Sequence, residues 1–502
     1  VIVMAGCFAV VLVTDLAAAP TRESIDQSIV RAMDEFQVPG MAVSVVHDGK
    51  VFYSDGHGIA EIGSETPVTA ATLFQIASVS KAFTAATLAL LVDEGKVAWD
   101  TPVIDYLPEF RMYDPWVTRE FTVRDLLTHR SGLPLGAGDL LLFPEGNASR
   151  QEIIEAMRHL KPSTSFRSSF AYDNLLFIIA GEVVARVSGM PYEDFLEQRL
   201  FAPLGISDCS GTFERAAPEA IKATPHMLVD GEMQITKAGI TEVSAGAGGI
   251  NCSADSMARW MLLMLNQGVT SEGEQLISTE QIAQLLNPVT LLNQPSYMVE
   301  HAGSHMGAYA LGWGVSTFYG QPMYSHGGGL WGMTSFIAIL PQQGLAVFAS
   351  NNQMSAAPRA IVNDLLDQFL AGDPTNAGKD WIGILSELVQ ARQAKGAEAV
   401  AEAAASRATD STPSLPLQTY AGTYRDPWYG DIHIDLDEDG QLHFRSDRSE
   451  PLRGPLEHFQ YDTFIARWTD RQLQADAYVS FSLSPEGKIE RIRMKAVSPN
   501  TD

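Results

Sequence analysis

The amino-acid sequence predicts an α/β protein of the α+β kind, in which an antiparallel sheet is flanked by helices and joined to an all-helical subdomain and a small C-terminal antiparallel β-barrel. The first observation is an N-terminal helix over residues 21–36, because its apolar residues recur on one face. The second is a pair of strands, residues 41–46 and 50–53, joined by a turn at Asp48-Gly49. The third is a mostly helical middle that runs from Ser78 to about Leu265.

The rest of the chain completes the sheet and then changes in character. Strands return over residues 311–348, and residues 363–370 are predicted to form a helix that packs back on the sheet. Residues 381–408 are rich in alanine and charged residues and are predicted to be helical, and residues 409–416 form a Ser/Thr/Pro linker. This order indicates an antiparallel sheet with helices on both sides, followed by a second module.

From Tyr420 onwards, apolar residues alternate as they do in antiparallel strands. The alternating positions fall into groups at Ile432, Ile434 and Leu436; Leu442 and Phe444; Phe464, Ala466 and Trp468; Val479, Phe481 and Leu483; and Ile489, Ile492 and Met494. We therefore predict a small barrel. Because few contacts are expected to cross the polar linker, we also predict that the barrel is separable from the rest of the chain.

The composition is that of an acidic protein that is long enough for two domains. The chain has 502 residues, of which 46% are apolar and 9% aromatic, so a large core is possible. A net charge of -26 argues against nucleic acid and against an anionic membrane surface as partners. Cys209 and Cys252 are too few for a disulfide scaffold or a zinc site, and they could be free thiols or form one bridge. No metal or other cofactor is expected.

Residues 1–19 are predicted to be a signal peptide. Residues 1–13 form an apolar run that is too short to span a bilayer, and the spacing of Ala17 and Ala19 suits signal-peptidase cleavage after Ala19. Cys7 resembles the cysteine of a lipoprotein box, but the apolar run continues past it, so cleavage is favoured over a lipid anchor. The sequence therefore predicts a periplasmic or secreted bacterial protein without a transmembrane span.

A Ser-x-x-Lys stretch, Ser78-Val79-Ser80-Lys81, precedes a long apolar helical run. Positions three apart share a helix face, so the Ser78 hydroxyl and the Lys81 amine are expected to meet. A serine becomes nucleophilic when a neighbour takes its proton, and a desolvated lysine has a depressed pKa that allows this. The helix N-terminus adds N–H groups where an oxyanion would form. A solvated surface Ser/Lys pair is the common alternative meaning of so short a pattern.

Tyr172-Asp173-Asn174 comes directly before a helical run over residues 175–187. Tyr172 and Asn174 are two apart on a turn or extended segment, so both side chains are expected to face one cavity. The tyrosine could act as a general base if a nearby lysine lowers its pKa, and the asparagine amide can bond both a lysine and a substrate carbonyl. The alternative is a helix cap, since Asp173 or Asn174 before an apolar run is a natural N-cap.

Residues 323–332, which include His326-Gly327-Gly328-Gly329, are predicted to form an edge strand and a turn, and the chain returns as a strand over residues 335–340. Consecutive glycines weaken a strand and are expected where a ligand approaches the backbone closely. The bare backbone could pair with an extended substrate, and the N–H of Gly329 could be a second oxyanion donor. His326 could orient or polarise the bound group. The alternative is a glycine-rich loop with an incidental histidine.

Taken in this order, the three stretches resemble the motifs of the serine beta-lactamase and penicillin-binding-protein superfamily. The Tyr-x-Asn form of the second motif resembles the class C branch, and the His-x-Gly form of the third resembles that of the family's esterases and D-amino-acid peptidases. The likeness covers roughly residues 22–370. The alternating C-terminal strands resemble the lipocalin-like barrel that is appended to many such hydrolases.

The resemblance implies catalysis through a covalent acyl-enzyme. Ser78 would attack a carbonyl carbon and become acylated, with Lys81 and Tyr172 as the proton-transfer pair. The implied substrate-binding residues are Asn174, His326, Gly328 and Gly329. The implied oxyanion hole consists of the backbone N–H groups of Ser78 and Gly329.

Two histidines are interpreted differently. His326 takes the place of a lysine that, in true beta-lactamases, meets the carboxylate of the antibiotic. A histidine is largely neutral near pH 7, so efficient beta-lactam hydrolysis is not expected. His129 is expected to belong to a structural loop.

These expectations define a secreted serine hydrolase that cleaves esters, amides or short peptides, including those with D-amino acids, and that needs no nucleic acid. A weak class C-type beta-lactamase and a D-alanyl peptidase acting on peptidoglycan peptides are alternatives, as is a non-catalytic binding protein on the same scaffold. The expected divisions are the signal peptide (1–19), the beta-lactamase-like hydrolase domain (20–372), a helical segment and linker (373–416) and the lipocalin-like barrel (417–502).

Overall fold

The computed structural model describes residues 20–237, 239, 242–370 and 378–501, so the predicted signal peptide lies outside the described residues. Within these residues no single helix has both the length and the apolar composition to cross a bilayer, although the bent pair Asn174–Ser188 and Tyr192–Leu204 passes that test jointly. The α-helices of the described residues are α1 (Arg22–Phe36), α2 (Ser80–Asp93), α3 (Pro115–Glu120), α4 (Val123–Leu126), α5 (Arg150–Ala156), α6 (Asn174–Ser188), α7 (Tyr192–Leu196), α8 (Ala254–Leu265), α9 (Thr279–Leu286), α10 (Ser296–Ala302), α11 (Ala357–Leu370) and α12 (Trp381–Ala405).

The described strands of the first part of the chain are β1 (Gly40–His47), β2 (Lys50–Gly58), β3 (Phe74–Gln75), β4 (His226–Val229), β5 (Glu232–Ile235), β6 (Asn251–Cys252), β7 (Thr290–Leu292), β8 (Gly307–Tyr309), β9 (Gly314–Phe318), β10 (Gln321–Leu330), β11 (Met333–Leu340) and β12 (Leu345–Asn351). Eight of these strands form one antiparallel sheet in the order β2-β1-β12-β11-β10-β9-β8-β7. Two short pairs, β3 with β6 and β4 with β5, lie outside it.

Helices cover both faces of the large sheet. On one face Met41, Val43 and Val45 of β1 share a core with residues of α1 and α11. On the other face Ala42 packs with Ala254 of α8, because successive side chains of a strand point to opposite faces. Both faces therefore exclude water, and β12 is buried along its whole length. The predicted antiparallel sheet with helices on both sides is confirmed.

The N-terminal elements follow the sequence-based prediction closely. α1 begins after Thr21, whose hydroxyl accepts the N–H of Ser24 at 3.1 Å as an N-cap. Asp48 and Gly49 have φ values of 50° and 73°, which is the pattern of a tight hairpin turn between β1 and β2. β2 extends beyond the predicted end at Tyr53 as far as Gly58.

β10 is an edge strand only in its second half. Its first residues pair with β9 as far as the Ser325–Gly314 pair, whereas the residues from His326 to Leu330 pair with β11 alone. The predicted edge strand is therefore wrong for the first half and right for the half that carries the three glycines. That half leaves one side of its backbone without a neighbouring strand.

Cys209 and Cys252 form a disulfide, which decides between the two alternatives that the sequence left open. Cys252 lies in β6 and pairs with Phe74 of β3, a few residues before Ser78. Next to the bridge, Ser210 and Asn251 exchange both backbone hydrogen bonds at 3.0 Å. The bridge therefore ties a distant loop to the strand pair that supports the nucleophile segment.

The C-terminal strands form a consecutive antiparallel meander that curls into a nearly closed barrel, as predicted. Rings of Tyr420, Phe464 and Phe481 pack together in its interior, with centroids 4.9 to 5.7 Å apart. The strands are β13 (Gly422–Asp426), β14 (Gly430–Leu436), β15 (Leu442–Ser446), β16 (Arg453–Gln460), β17 (Thr463–Ala466), β18 (Ala477–Leu483) and β19 (Ile489–Ala496). The sequence analysis did not predict β13 and β16, because β13 is largely exposed and β16 contains glycine and proline.

The barrel contacts the first part of the chain at more than one place, so the prediction of few contacts is wrong. The side chain of Gln472 donates to the carbonyl of Ile235 at 3.0 Å, and that of Gln474 donates to the carbonyl of Leu228 at 2.9 Å. Asn147 also donates its backbone N–H to the carbonyl of Arg448 at 3.0 Å. A polar linker alone does not reveal such docking, because the contacts are made by loops distant from it in sequence.

We expect the disulfide to stabilise the fold by about 4 kcal/mol, because the chain-entropy relation gives about this value for a loop of such length. The bridged cysteines are 43 residues apart. The double variant Cys209→Ser/Cys252→Ser should lose this free energy of unfolding in a denaturant titration, and reductant should affect the wild type but not the variant. Unchanged unfolding in both comparisons would contradict the expectation.

Candidate active site

The segment that carries Ser78 is held between the sheet and a glycine-rich turn. Ile76 donates its N–H to the carbonyl of Ile250 at 2.9 Å, and its own carbonyl accepts the hydroxyl of Ser335 at 2.6 Å. Ala77 has a φ of 49°, in the left-handed region that a residue with a side chain adopts only when its surroundings enforce it. A 3₁₀ turn, Ala77–Val79, leads into α2 and places Ser78 at the N-terminal end of the helix.

Lys81 is fully buried, with 0% of its surface exposed. Its Nζ lies 3.1 Å from Ser78 Oγ, 2.8 Å from Asn174 Oδ1 and 2.8 Å from the carbonyl oxygen of Ala247. Desolvation lowers the pKa of Lys81 from 10.5 to about 7, although the carboxyl groups of Asp139 and Asp173 act in the opposite direction. A substantial share of Lys81 is therefore a neutral amine near neutral pH.

Two of these acceptors decide where the lone pair of the neutral amine points. Amide and carbonyl oxygens cannot donate, so Asn174 Oδ1 and the Ala247 carbonyl each require an N–H from Lys81. A neutral amine has no further hydrogen, and its lone pair is left facing Ser78. The Ser78 hydroxyl, which can donate, therefore lies against a base, and the two side chains meet as their helical spacing predicts.

Asn174 is oriented by Asp139, a residue that the sequence analysis did not single out. Asn174 Nδ2 donates to Asp139 Oδ2 at 2.9 Å. Because a carboxylate accepts, this bond fixes the amide with Oδ1 towards Lys81. Asp173 caps α6 through a 3.0 Å bond from the N–H of Leu175. Both interpretations of this stretch therefore apply. Asp173 is the helix cap, and Asn174 faces the site and contacts Lys81.

Tyr172 lies beside the Ser78–Lys81 pair, with its ring centroid 4.8 Å from Lys81 Nζ. Burial raises the pKa of Tyr172 above its usual value, and the hydrogen bond with Ser78 offsets only part of this effect. The condition under which the sequence analysis allowed a general base here, a pKa lowered by a nearby lysine, is not met, because desolvation of the phenolate is the largest effect on this pKa. Tyr172 is therefore a protonated phenol at neutral pH and can give a proton.

His129 supports Tyr172 from behind. Its ring lies 4.2 Å from the Tyr172 ring, and its Nδ1 accepts the N–H of Asp173 at 3.1 Å. Desolvation lowers the pKa of His129 well below its usual value, so the buried imidazole is neutral. These contacts agree with the structural role predicted for this histidine.

His326 is held in one neutral form. Its Nδ1 lies 2.7 Å from the carbonyl oxygen of Gly327, and its Nε2 lies 2.8 Å from the hydroxyl of Tyr309. A carbonyl only accepts, so Nδ1 carries the proton and Nε2 accepts from Tyr309. Desolvation, assisted by the nearby Lys81, lowers the pKa of His326 to about 3. The position therefore lacks the positive charge of a lysine.

Gly328 allows β10 to touch the segment before the nucleophile. A Cβ at this position would lie 2.3 Å from the carbonyl oxygen of Ile76, which no side chain tolerates. Gly329 is exposed and pairs with Thr334, whose N–H turns away to Asn351 Oδ1 in β12 at 3.3 Å. Opposed residues of an antiparallel pair exchange both hydrogen bonds or neither. The N–H of Gly329 therefore points to the open edge.

An aromatic wall borders the open edge. Phe143 packs against Ala77 and Leu330, next to Ser78 and Gly329 respectively. The ring of Trp331 lies 5.9 Å from that of Phe143. A group bound beside Ser78 on this side would meet apolar surface.

The structure thus brings every residue that the sequence assigned to the site into one place: Ser78, Lys81, Tyr172, Asn174, His326, Gly328 and Gly329. It also adds Asp139, Tyr309, Phe143 and the Ala247 carbonyl. The glycine-rich run Ala245–Gly249 is the sequence signal from which the close approach of the Ala247 carbonyl could have been predicted. Asp139 begins a short 3₁₀ helix, Asp139–Leu141, and Tyr309 ends β8, and neither has a local signal in the sequence.

The fold and the Ser–Lys–Tyr arrangement define a serine hydrolase of the beta-lactamase and transpeptidase-like superfamily. More particularly, the chain belongs to the Beta-lactamase family, which it matches over residues 25–371. Residues 406–502 match a domain of unknown function, DUF3471.

Among its relatives is the unguisins hydrolase ungD' of Aspergillus campestris, 28% identical over 94% of this chain and 89% of that protein. Other relatives are named beta-lactamase, esterase and penicillin-binding protein. The fold is similar to that of the octameric penicillin-binding protein homologue of Pyrococcus abyssi, with a TM-score of 0.60 and 21% identity over 94% of this chain and 99% of that one. It is also similar to a class C beta lactamase of Rhodobacter sphaeroides, with a TM-score of 0.56 and 22% identity over 69% of this chain and 98% of that one.

The neighbouring glycines of β10 should respond differently to the same substitution. Gly328→Ala forces the strand away from Ile76 and should slow the labelling of Ser78 by a fluorophosphonate by about 10²-fold or more, because small displacements of reacting groups have effects of this size. Gly329→Ala keeps its N–H and places the methyl in open space, so its labelling rate should stay within a few-fold of wild type. Equal rates for two folded variants would contradict this account.

The labelling rate should rise with pH through about 7, as Lys81 loses its proton. Asp139→Asn removes a negative charge that raises the pKa of Lys81, so the midpoint should move to lower pH. It also frees the Asn174 amide to turn, so the maximal rate should fall by about tenfold or more. The control is Glu109→Gln, which removes a carboxylate paired with Arg186 at 2.7 Å. An Asp139→Asn variant with the wild-type midpoint and rate would refute the positioning role.

Proposed function

We propose that this protein hydrolyses ester or amide bonds through a covalent acyl-enzyme on Ser78. The observation that carries the proposal is the Lys81 amine, which two obligate acceptors hold with its lone pair towards the Ser78 hydroxyl. A buried lysine with such partners costs stability, and a surface Ser/Lys pair would have neither the burial nor the acceptors. The arrangement is that of an activated nucleophile.

Groups of the site donate and accept the protons of the proposed reaction. Ser78 Oγ bonds to the carbonyl carbon while its proton passes to Lys81 Nζ. The N–H groups of Ser78 and Gly329 stabilise the oxyanion, and Asn174 positions the acyl group. The bond to the leaving oxygen or nitrogen then breaks as the phenol of Tyr172 gives that atom a proton, and the proton held by Lys81 restores the phenol. Water next bonds to the acyl carbon while its proton passes to Lys81 Nζ. The bond between Ser78 Oγ and the acyl carbon then breaks, the acid leaves, and Lys81 returns the proton to Ser78 Oγ.

Neutral esters and short peptides, including those with D-amino acids, are the proposed substrates. The neutral His326 lacks the charge that would attract the carboxylate of a beta-lactam, and the aromatic wall suits an apolar group. The relative named a hydrolase of unguisins and the relative named an esterase are consistent with this class. A weak beta-lactamase or a D-alanyl peptidase is the second candidate, favoured by the relatives of those names, and a purely binding role is disfavoured by the buried Lys81.

We also propose that the protein works outside the cytoplasm. The Cys209–Cys252 disulfide supports this, because such bridges persist in oxidising compartments. The predicted signal peptide is consistent with the same location. A small-molecule substrate is the proposed partner, and the acidic net charge disfavours nucleic acid.

Intact-mass labelling with a fluorophosphonate and with a penicillin tests the proposal. One fluorophosphonate per chain on Ser78, turnover of p-nitrophenyl esters and slow or absent penicillin turnover are expected. Ser78→Ala should lose at least about 10³-fold in ester turnover and Lys81→Ala at least about 10²-fold.

The matched control is Ser80→Ala, two residues along, where the hydroxyl accepts the N–H of Ile250 at 3.2 Å and lies outside the proposed chemistry. It should keep the label. A folded wild type without label would favour the binding protein, and rapid penicillin turnover would favour the beta-lactamase.

A further inference from the structure

We propose that the C-terminal barrel is a positioning element of the active site. Its loop, residues 447–449, holds one end of a bridging segment, residues 139–147, whose other end carries Asp139 and Phe143 into the site. The inference rests on the proposed function and extends it. The barrel residues act through the bridging segment and do not touch the reacting atoms.

The inner end of the bridging segment serves the site at two points. Asp139 fixes the Asn174 amide, and Phe143 packs against Ala77 and Leu330. The N–H groups of Leu142 and Phe143 both bond to the carbonyl of Asp139, at 2.8 and 2.9 Å. Asp139 and Phe143 therefore lie on one compact turn, and a displacement of the turn would move both.

The outer end of the bridging segment is held by the barrel. Asn147 donates its backbone N–H to the carbonyl of Arg448 at 3.0 Å and its side-chain Nδ2 to the carbonyl of Asp447 at 2.9 Å. The hydroxyl of Ser449, which is 1% exposed, donates to the carbonyl of Pro144. This last bond is one residue from Phe143, so the barrel supports the aromatic wall almost directly.

The barrel loop is itself well fixed. The hydroxyl of Ser446 accepts the N–H groups of Arg448 and Ser449, at 3.0 and 3.3 Å, and contacts the hydroxyl of Tyr429 at 2.6 Å. Arg448 Nε donates to the carbonyl of Tyr429 at 2.8 Å. The loop therefore presents its carbonyls and the Ser449 hydroxyl from a rigid base.

The first part of the chain holds the outer end of the segment through Glu145. Glu145 donates its N–H to the carbonyl of Gly239 at 3.3 Å, and its carboxylate pairs with Lys237 at 3.6 Å. Without the barrel, the buried carbonyl of Pro144 would lose its donor, at the point where the wall meets the Ser78 segment. The wall would then be free to shift, and with it the fit of the acyl group.

The test is the ester specificity of Ser449→Ala and Asn147→Ala in the full chain. We expect each to lose about tenfold or more in kcat/KM, because displaced positioning groups have effects of this size. The ratio of kcat/KM for p-nitrophenyl butyrate to that for the acetate should also change, since the wall contacts the acyl group. Backbone amides of residues 139–147 should exchange hydrogen faster than in wild type. Asn147 is exposed, so its truncation should leave the thermal midpoint close to wild type.

The matched control is Gln474→Ala, which breaks a barrel contact of the same kind at Leu228, away from the bridging segment. It should keep kcat/KM within twofold and the wild-type ester ratio. The proposal is overturned if Ser449→Ala and Asn147→Ala label at Ser78 at the wild-type rate with an unchanged ester ratio, or if Gln474→Ala changes both as much as they do. Failure of the proposed function would look different, because the wild type itself would then take no label.

Discussion

The burial of the Lys81 amine is the constraint on which the rest of the site depends. A buried cation is costly, so desolvation leaves Lys81 partly neutral, and the acceptors that the surrounding elements supply direct its lone pair at Ser78. One acceptor comes from the turn Ala245–Gly249, which reaches α6 so closely that a Cβ at Gly246 would lie 2.6 Å from the carbonyl of Phe177. The small residues of that turn are therefore required for Lys81 to act as a base, because they let the Ala247 carbonyl reach it. The Asp139 carboxylate is required as well, because it orients Asn174.

The same burial separates the acid–base behaviour of three neighbouring groups. Desolvation disfavours each charged form, so it lowers the pKa of Lys81 and of His326 and raises that of Tyr172. In the proposed reaction this gives an amine that takes a proton, a phenol that gives one and an imidazole that does neither. Groups whose environments push their pKa values apart in this way can divide acid and base roles without a metal or a charged partner.

Sequence reasoning found the parts of this protein that local pattern encodes. The spacing of Ser78 and Lys81, the Tyr172–Asn174 pair and the glycines of β10 each carry a steric or periodic signal. Asp139 carries none, because an acid in a glycine-rich loop has many uses, and only the fold brings it to Asn174. The direction of the Tyr172 pKa depends on how water is excluded, which the order of residues does not reveal. The second half of β10 was identified as an edge, whereas the first half pairs with β9, a strand whose alignment depends on the whole sheet.

The disulfide has a consequence for the order in which the molecule assembles. The loop between Cys209 and Cys252 contains the β4–β5 hairpin, to which the barrel bonds, and the turn whose Ala247 carbonyl holds Lys81. Oxidation therefore restricts the β4–β5 hairpin and the turn that holds Lys81 in one step. A chain that folds under reducing conditions must gather both from an open loop, whereas an oxidised chain begins with them already confined to the same small volume.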